Sequence, residues 1–533
     1  MQADYIAFRD TGYFSSLICD YLDEAEALGP FYGHFPTLDA FKDQIAAKSK
    51  SFPKANRTVL KSALEAQYAH TVASKRTKQH IASLEKDTTF TIVTGHQLNL
   101  FTGPLYFLYK IISTIRLTQA LKKQYPKNDF VPIYWMATED HDFDEINYFN
   151  FGGRKVQWNR EAGGAVGRFD TAGLDAVLQV MKTQFGQSTH AKQLLTLFED
   201  SYLKHKTLAA ATRYLANALF GAHGLVIVDG DDKVLKELLA PHAAKDIFEQ
   251  LPYQVVGATN AELTQLDDRY SIQVNPREIN YFYLKDSIRE RIVAVENHFE
   301  VMNTGLRFTE KELRRELDEH PERFSPNVIA RPLYQEVILP NLCYIGGGGE
   351  LAYWLQLKDY FEAMDVVFPM LLLRNSALII SEKQQGKLEK MGLEIKDLFL
   401  DANSLINKKI RQISNIDIDF SPQKQQLQTQ FKGLYDLAKE TDASFLGAVK
   451  AQERKQVKGL EALEKRLLKA QKRKLKDQVA RITSLQNELF PNRSLQERQL
   501  NFSEVYLQYG AALIDDLFEN LDPLRPEFTL LRH

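Results

Sequence analysis

Four short runs of apolar, mostly β-branched or aromatic residues, at positions 90–93, 130–136, 225–228 and 366–373, constrain this chain more than any other feature. Each has the length of a fully buried strand, and none alternates as a strand with one wet face does, so together they predict the centre of a parallel sheet. Between the first two runs lie Gly103-Pro104 and then Leu105, Leu108, Ile112 and Ile115 at helical spacing, with Pro104 suited to a first helical turn. That order is a strand, loop, helix, strand unit, and tandem units of this kind predict a doubly wound α/β core.

The gaps of about 85 residues before the third run and about 135 before the fourth are too long for plain crossover helices, so insertions are expected. Residues 147–169 and 270–306 alternate strand-like runs with turn residues and predict small β-containing inserts. Thr309 followed by Glu312 offers a capping box for a short helix ending near Pro321. From 382 to 488 Lys, Glu, Gln and Leu dominate, and the spacing predicts antiparallel helices at 382–420 and 423–490 joined near Ser421-Pro422. Leu468, Leu475, Ile482 and Leu489 recur every seventh residue, as in a coiled coil. Residues 495–533 regain aromatic content and are expected to pack back on the rest.

At 533 residues the chain exceeds what one hydrophobic core serves. With 67 Lys plus Arg against 69 Asp plus Glu, no whole-molecule field drives it onto nucleic acid, and the basic stretch at 465–476 reads as the solvated face of the coiled coil. The longest apolar run is eight residues, far short of the roughly 20 of a bilayer span, and the N-terminus lacks the basic and apolar parts of a signal peptide. No membrane or nucleic-acid partner and a cytoplasmic location are therefore expected. Only Cys19 and Cys343 are present, which predicts a reducing compartment and no thiolate zinc site.

Ligands of open parallel sheets bind beyond the carboxyl ends of the strands. After the first run come Thr94, Gly95, His96, Gln97 and Asn99, ahead of a helix whose N-terminal amides favour an anion. After the second, Glu139, Asp140, His141, Asp142, Asp144 and Glu145 can bind Mg²⁺, an amine or sugar hydroxyls, or host a general base. Asp229 to Asp232, after the third, read as a cap for the next helix. A further strand-like segment, Cys343-Tyr344-Ile345, leads into Gly346, Gly347, Gly348, Gly349 and Glu350 and then a predicted four-turn helix. The glycines there allow close backbone approach and positive φ angles, while Tyr353 and Trp354 either stack on a ring or fill the core.

Four segments carry a family resemblance: TGHQLNLFTGPLYFLYKI at 94–111, WMATEDHDFDEIN at 135–147, ARPLYQEVILPNLCYIGGGGELAYWLQLK at 330–358, and Leu495-Gln496-Glu497-Arg498 with Asn501. In order and over most of the chain they resemble the bacillithiol biosynthesis cysteine-adding enzymes. The resemblance implies a Rossmann-like core with two inserted connecting regions, a helical coiled-coil domain and a homodimer. The division it implies here is core at 1–146, 206–255 and 326–380, connecting regions at 147–205 and 256–325, coiled coil at 381–490 and a returning segment at 491–533. The implied reaction is a ligase reaction joining the carboxylate of L-cysteine to the amine of glucosaminyl-malate to give bacillithiol.

By similarity to class I aminoacyl-tRNA synthetases, ATP, with Mg²⁺ accompanying the nucleotide, is expected to activate the carboxylate, and His96 occupies the position of a signature histidine. Only one histidine of that signature is present, and no lysine-serine-lysine loop follows the last strand. The catalytic candidates are His96, Asp140, His141 and Asp142, with an acid of this cluster accepting the proton lost as the amide forms. The binding candidates are Thr94, Gly95, Gln97, Asn99, Gly103, Arg331, Gly346 to Gly349, Glu350 and Tyr353, and no metal ligand, zinc included, is expected. A nucleotidyl- or glycosyl-transferase on the same core, and a non-catalytic dimeric scaffold, are the alternative readings.

Overall fold

The apolar runs become strands β1 (Thr89–His96), β2 (Asp129–Met136), β3 (Val226–Asp229) and, after β4 (Asn341–Gly346), β5 (Met370–Leu373). A computed structural model describes residues 1–532. It orders these strands β5-β4-β1-β2-β3, with every pairing parallel. The chain thus starts at the centre, winds outward through β2 and β3, and returns to the opposite side of β1 at β4. That reversal between β1 and β4 opens a crevice at the carboxyl ends of the strands. The core is the doubly wound α/β fold expected from the sequence.

Helix α1 (Tyr106–Gln124) is buried around most of its circumference, with Leu117 and Leu121 against Phe90, Ile92, Phe130 and Ile345 of the sheet. Phe41, from a helix preceding β1, joins the same core. The first connecting region opens with the hairpin Tyr148–Phe151 and Arg154–Gln157, whose turn residues Gly152 and Gly153 have φ of +56° and +73°, as a tight hairpin of this twist requires. Beyond the hairpin this region is helical at Leu174–Phe185 and Thr189–Phe198, so it is more α than its glycine pairs suggested. The second region is an antiparallel sheet of Tyr281–Lys285, Ile288–Val295, His298–Val301, Arg307–Phe308 and Phe324–Pro326. The capping box of Thr309 and Glu312 forms.

The structure corrects several boundaries. Only the end of the 366–373 run is strand, because Pro369 has no N–H for a ladder. Pro104 lies outside helix α1, which starts at Tyr106 after a short turn at Leu100–Thr102. The four-turn helix after the glycines is two short ones, Gly348–Trp354 and Lys358–Ala363.

Met1–Ile379 and Ser494–Leu531 form one compact unit, so the returning segment packs with the core, and Ile380–Arg493 forms the second. In the second unit the hairpin joins Ser421–Lys439 to Ala443–Lys474 at Asp442, whose side chain caps the latter helix. Pro422 opens a helix instead of joining two, as its fixed φ and missing N–H favour. Phe431, Ala438 and Val449 are buried between the hairpin's arms. Leu468 packs on Ile410 and Ile418, while Leu475 marks a break before the helix Lys476–Leu489.

Candidate functional site

A cleft of about 760 Å³ lies at the carboxyl ends of β1, β2 and β4, at the reversal of strand order. The register explains the convergence: Thr94 lies beside both Ile345 and Tyr134, and His96 beside Met136, so the loops that follow share one rim. Gly95, His96 and Gln97 line it from β1, Glu139, Asp140 and His141 from β2, and Gly347, Gly349, Glu350 and Tyr353 from β4.

One wall is a buried cluster of ions. Lys110, on α1, donates to the Gly95 carbonyl at 2.6 Å and pairs with Glu350 at 2.5 Å. Glu350 also accepts from the Tyr344 hydroxyl at 2.6 Å and the Gly347 N–H at 2.8 Å. Burial opposes its ionisation, but Lys110, Gly347 and Tyr344 together hold its carboxyl down at about 2. Arg374 pairs with Glu497 of the returning segment at 2.7 Å, both side chains buried. Arg331 has no such carboxylate of its own; its Nη1 donates to the Gln335 amide oxygen at 3.2 Å. Arg331 Nη2 and Arg374 Nε are buried without a hydrogen-bond partner, and both residues line the cleft. Unpaired buried guanidinium donors are costly, and an anionic oxygen is the partner that satisfies them.

His96 is nearly buried, and its Nε2 also lacks a partner. Burial, reinforced by the charge of Lys110, pushes the imidazole down to about 3, so it is neutral at physiological pH. The following loop is strained: Phe101 and Thr102 have φ of +48° and +69°, a region worth roughly 1–2 kcal/mol against an L residue. Asn501 holds this turn, its Nδ2 donating to the carbonyls of Phe101 and Gly103 at 2.8 and 2.6 Å, while the Tyr202 hydroxyl accepts from the Phe101 N–H. Gly103 is required there, since a Cβ would come within 2.5 Å of that of Asn99. The returning segment therefore braces the site twice, through Glu497 and Asn501.

The opposite wall is acidic. Glu139 forms an ion pair with the buried Lys236, and burial raises its carboxyl despite that partner. Asp140 accepts from the His141 N–H at 2.7 Å and from Gln97 Nε2 at 2.8 Å. Burial again opposes ionisation, but these bonds from His141 and Gln97, with the nearby charge of Arg289, keep Asp140 far below the usual carboxylate range. Gln97 Nε2 also donates to Glu145 at 2.9 Å and so ties the first loop to the second.

The structure brings Gly95, His96, Gln97, Asp140, His141, Arg331, Gly347, Gly349, Glu350 and Tyr353 to the cleft. It leaves others outside its lining. Thr94 is buried with its hydroxyl donating to the Ile345 carbonyl, and Asn99 donates to the Glu145 carbonyl beside a smaller void. Asp142 accepts from the Glu145 N–H as the cap of a short helix, and Gly348 faces Ile18 and Phe14. None of Gly346 to Gly349 has a positive φ; Gly346 is needed for room, because a Cβ there would meet Leu351 at 2.8 Å and Tyr344 at 2.9 Å. Asp232 caps the next helix, as read from sequence. Trp354 is fully buried and stacks on Tyr344, so it fills the core.

Glu139, of the acidic cluster read from sequence, lines the cleft too, as do Lys110, Arg277, Arg289, Arg374 and Arg498, which were not among the candidates. Lys110 had a signal, a lone lysine among Phe107, Leu108, Ile111 and Ile112; Arg374 follows directly on the last apolar run. Arg277 and Arg289 arrive from the second connecting region, more than 130 residues beyond His141, and had none.

Fold and cleft define a Rossmann-type protein with an open cleft at its switch point, lined by buried arginines, and a second, coiled-coil unit. The chain belongs to the BshC family. Residues 1–375 match the family described as bacillithiol biosynthesis BshC, N-terminal Rossmann-like domain, and residues 377–533 match its C-terminal coiled-coil domain. Proteins named "Putative cysteine ligase BshC" are similar over their whole length. That of Flavobacterium johnsoniae is 55% identical over 531 residues, covering 100% of both chains, and that of Christiangramia forsetii 56% over 535, covering 100% of this chain and 99% of the relative. That of Cytophaga hutchinsonii is 39% identical, covering 97% and 96%. No helix among the described residues is long and apolar enough to cross a membrane.

Proposed function

We propose that this protein is a cysteine ligase that forms an amide between the carboxylate of L-cysteine and the amine of glucosaminyl-malate, giving bacillithiol. The observation that carries this reading is the pairing of unsatisfied cationic donors, Arg331 Nη2 and Arg374 Nε, with an acidic wall across one cleft. Amide formation needs both: donors for the anion that activates or leaves the carboxyl group, and acceptors for an incoming amine. Full-length similarity to relatives named as cysteine ligases supports the substrate.

ATP would supply the activation: a carboxylate oxygen of cysteine would attack a phosphorus of the nucleotide as the bond from that phosphorus to its departing phosphate group breaks, and Arg331 and Arg374 would hold the anionic oxygens. The amine nitrogen attacks the activated carbon, the bond to the phosphate oxygen breaks, and that oxygen departs with its electron pair toward Arg331 and Arg374. The nitrogen loses a proton. Asp140 is too weak a base to take it, so it orients the amine; Glu139, raised by burial, is the better acceptor. The coiled coil makes the protein a homodimer in this reading, supported by exposed Leu434, Leu437 and Leu463 on that unit.

The test incubates the protein with cysteine and glucosaminyl-malate, with and without ATP, and follows product mass. The bacillithiol mass is expected with ATP; no product under either condition overturns the ligase, and nucleotide-sugar turnover without cysteine favours a transferase.

A further inference from the structure

We infer that Arg289 fixes the tautomer of His141, so that His141 serves the cleft as an N–H donor through Nε2 and not as a proton acceptor. The role assigned to that donor rests on the ligase reading; the tautomer itself does not.

Arg289 lies on the strand Ile288–Val295 of the second connecting region, and its guanidinium packs on the Phe282 ring, 4.1 Å from the centroid. Nε donates to Ser325 Oγ at 3.1 Å and Nη2 to the Pro326 carbonyl at 3.3 Å. With both ends held, Nη1 sits 2.7 Å from His141 Nδ1. A guanidinium has only donors to offer, so at this distance Nδ1 must present its lone pair. A proton on Nδ1 would set two N–H groups head to head.

The other candidate partner for Nδ1 is Asp140 Oδ1, but at 3.7 Å it is too far for a hydrogen bond. Asp140 is already satisfied by the His141 backbone N–H and by Gln97. The ring proton of neutral His141 therefore resides on Nε2, the nitrogen turned away from Arg289, on a half-exposed ring that lines the cleft. A fixed donor there meets the substrate oxygen that gains negative charge as the amine attacks the activated carboxyl carbon. Arg289 acts through His141 and is a positioning residue.

The first measurement needs no turnover. With histidine ring nitrogens labelled with ¹⁵N, and His141 assigned by its loss in His141→Gln, Nδ1 is expected unprotonated and Nε2 protonated at neutral pH. Arg289→Met is expected to shift this toward a mixture of tautomers, with Arg289→Lys keeping the native pattern. A proton on Nδ1 in the native protein, or no change in Arg289→Met, overturns the inference even if the ligase assay succeeds. The second measurement is kinetic. Glutamine carries an N–H near the place of Nε2, so His141→Gln is expected to keep kcat within about tenfold of native while His141→Ala loses about a hundredfold. Equal losses in the two variants mean that His141 is a base and overturn the donor role.

Discussion

Asp246 offers a sharp test of how the cleft's rear wall is held. It lies in the helix Lys233–Glu249, has no solvent exposure, and accepts the Asn280 N–H at 2.8 Å through one oxygen while the other has no partner. Asn280 in turn accepts from the N–H of Arg277, which lines the cleft. Burial, only partly offset by Asn280, pushes the Asp246 carboxyl up from 3.8 to about 7. The folded protein thus holds this proton more tightly than the unfolded chain. Well below pH 3.8 the group is neutral in both states and has no effect; as pH rises toward 7 the unfolded chain ionises and the folded one resists. A gap of about three pH units at about 1.4 kcal/mol each gives a destabilisation of about 4 kcal/mol above pH 7.

Asp246→Asn keeps a carbonyl oxygen for Asn280 and removes the charge. Its stability relative to the native protein is expected to rise with pH, from about 2 kcal/mol at pH 5 to about 4 kcal/mol at pH 8. Urea unfolding of both proteins at pH 5, 6, 7 and 8 measures this. A difference that stays flat over that range, or native protein gaining on the variant as pH rises, refutes the reasoning.

Breaking the Arg374–Glu497 pair with Glu497→Ala is expected to lose about 3–5 kcal/mol of stability, since it strands a buried guanidinium; a denaturation midpoint unchanged from native would contradict this. Gly346→Ala is expected to lose about 1–3 kcal/mol to crowding against Leu351 and Tyr344, while Gly349→Ala, with nothing within 4 Å of its Cβ, leaves the thermal midpoint near native. His96 is expected to show no imidazole titration by NMR between pH 5 and 8, because burial holds it at about 3; a midpoint near 6.5 would mean that the ring is solvated.

Much of the fold was legible because its signal is local. Buried parallel strands need unbroken apolar runs, and β1, β2 and β3 fall where those runs stand. Thr309 with Glu312, and Asp232, cap helices through bonds that span three residues, so sequence suffices to find them. The breaks at Leu475 and at 355–357 had no such mark.

The sequence by itself determined that a parallel α/β core would gather the loops after 94, 139 and 346 on one rim, because strand direction and side-chain pattern leave no other place for them. Which members of those loops face the cleft was decided only by tertiary structure: His96 and Asp140 do, while Thr94 turns to Ile345 and Asp142 to a helix cap. Tertiary structure alone also supplied Arg289 from one connecting region and Glu497 and Asn501 from the returning segment. A charge that meets its partner across a hundred residues or more leaves no periodicity behind; its pairing is fixed by the packing that excludes water from both.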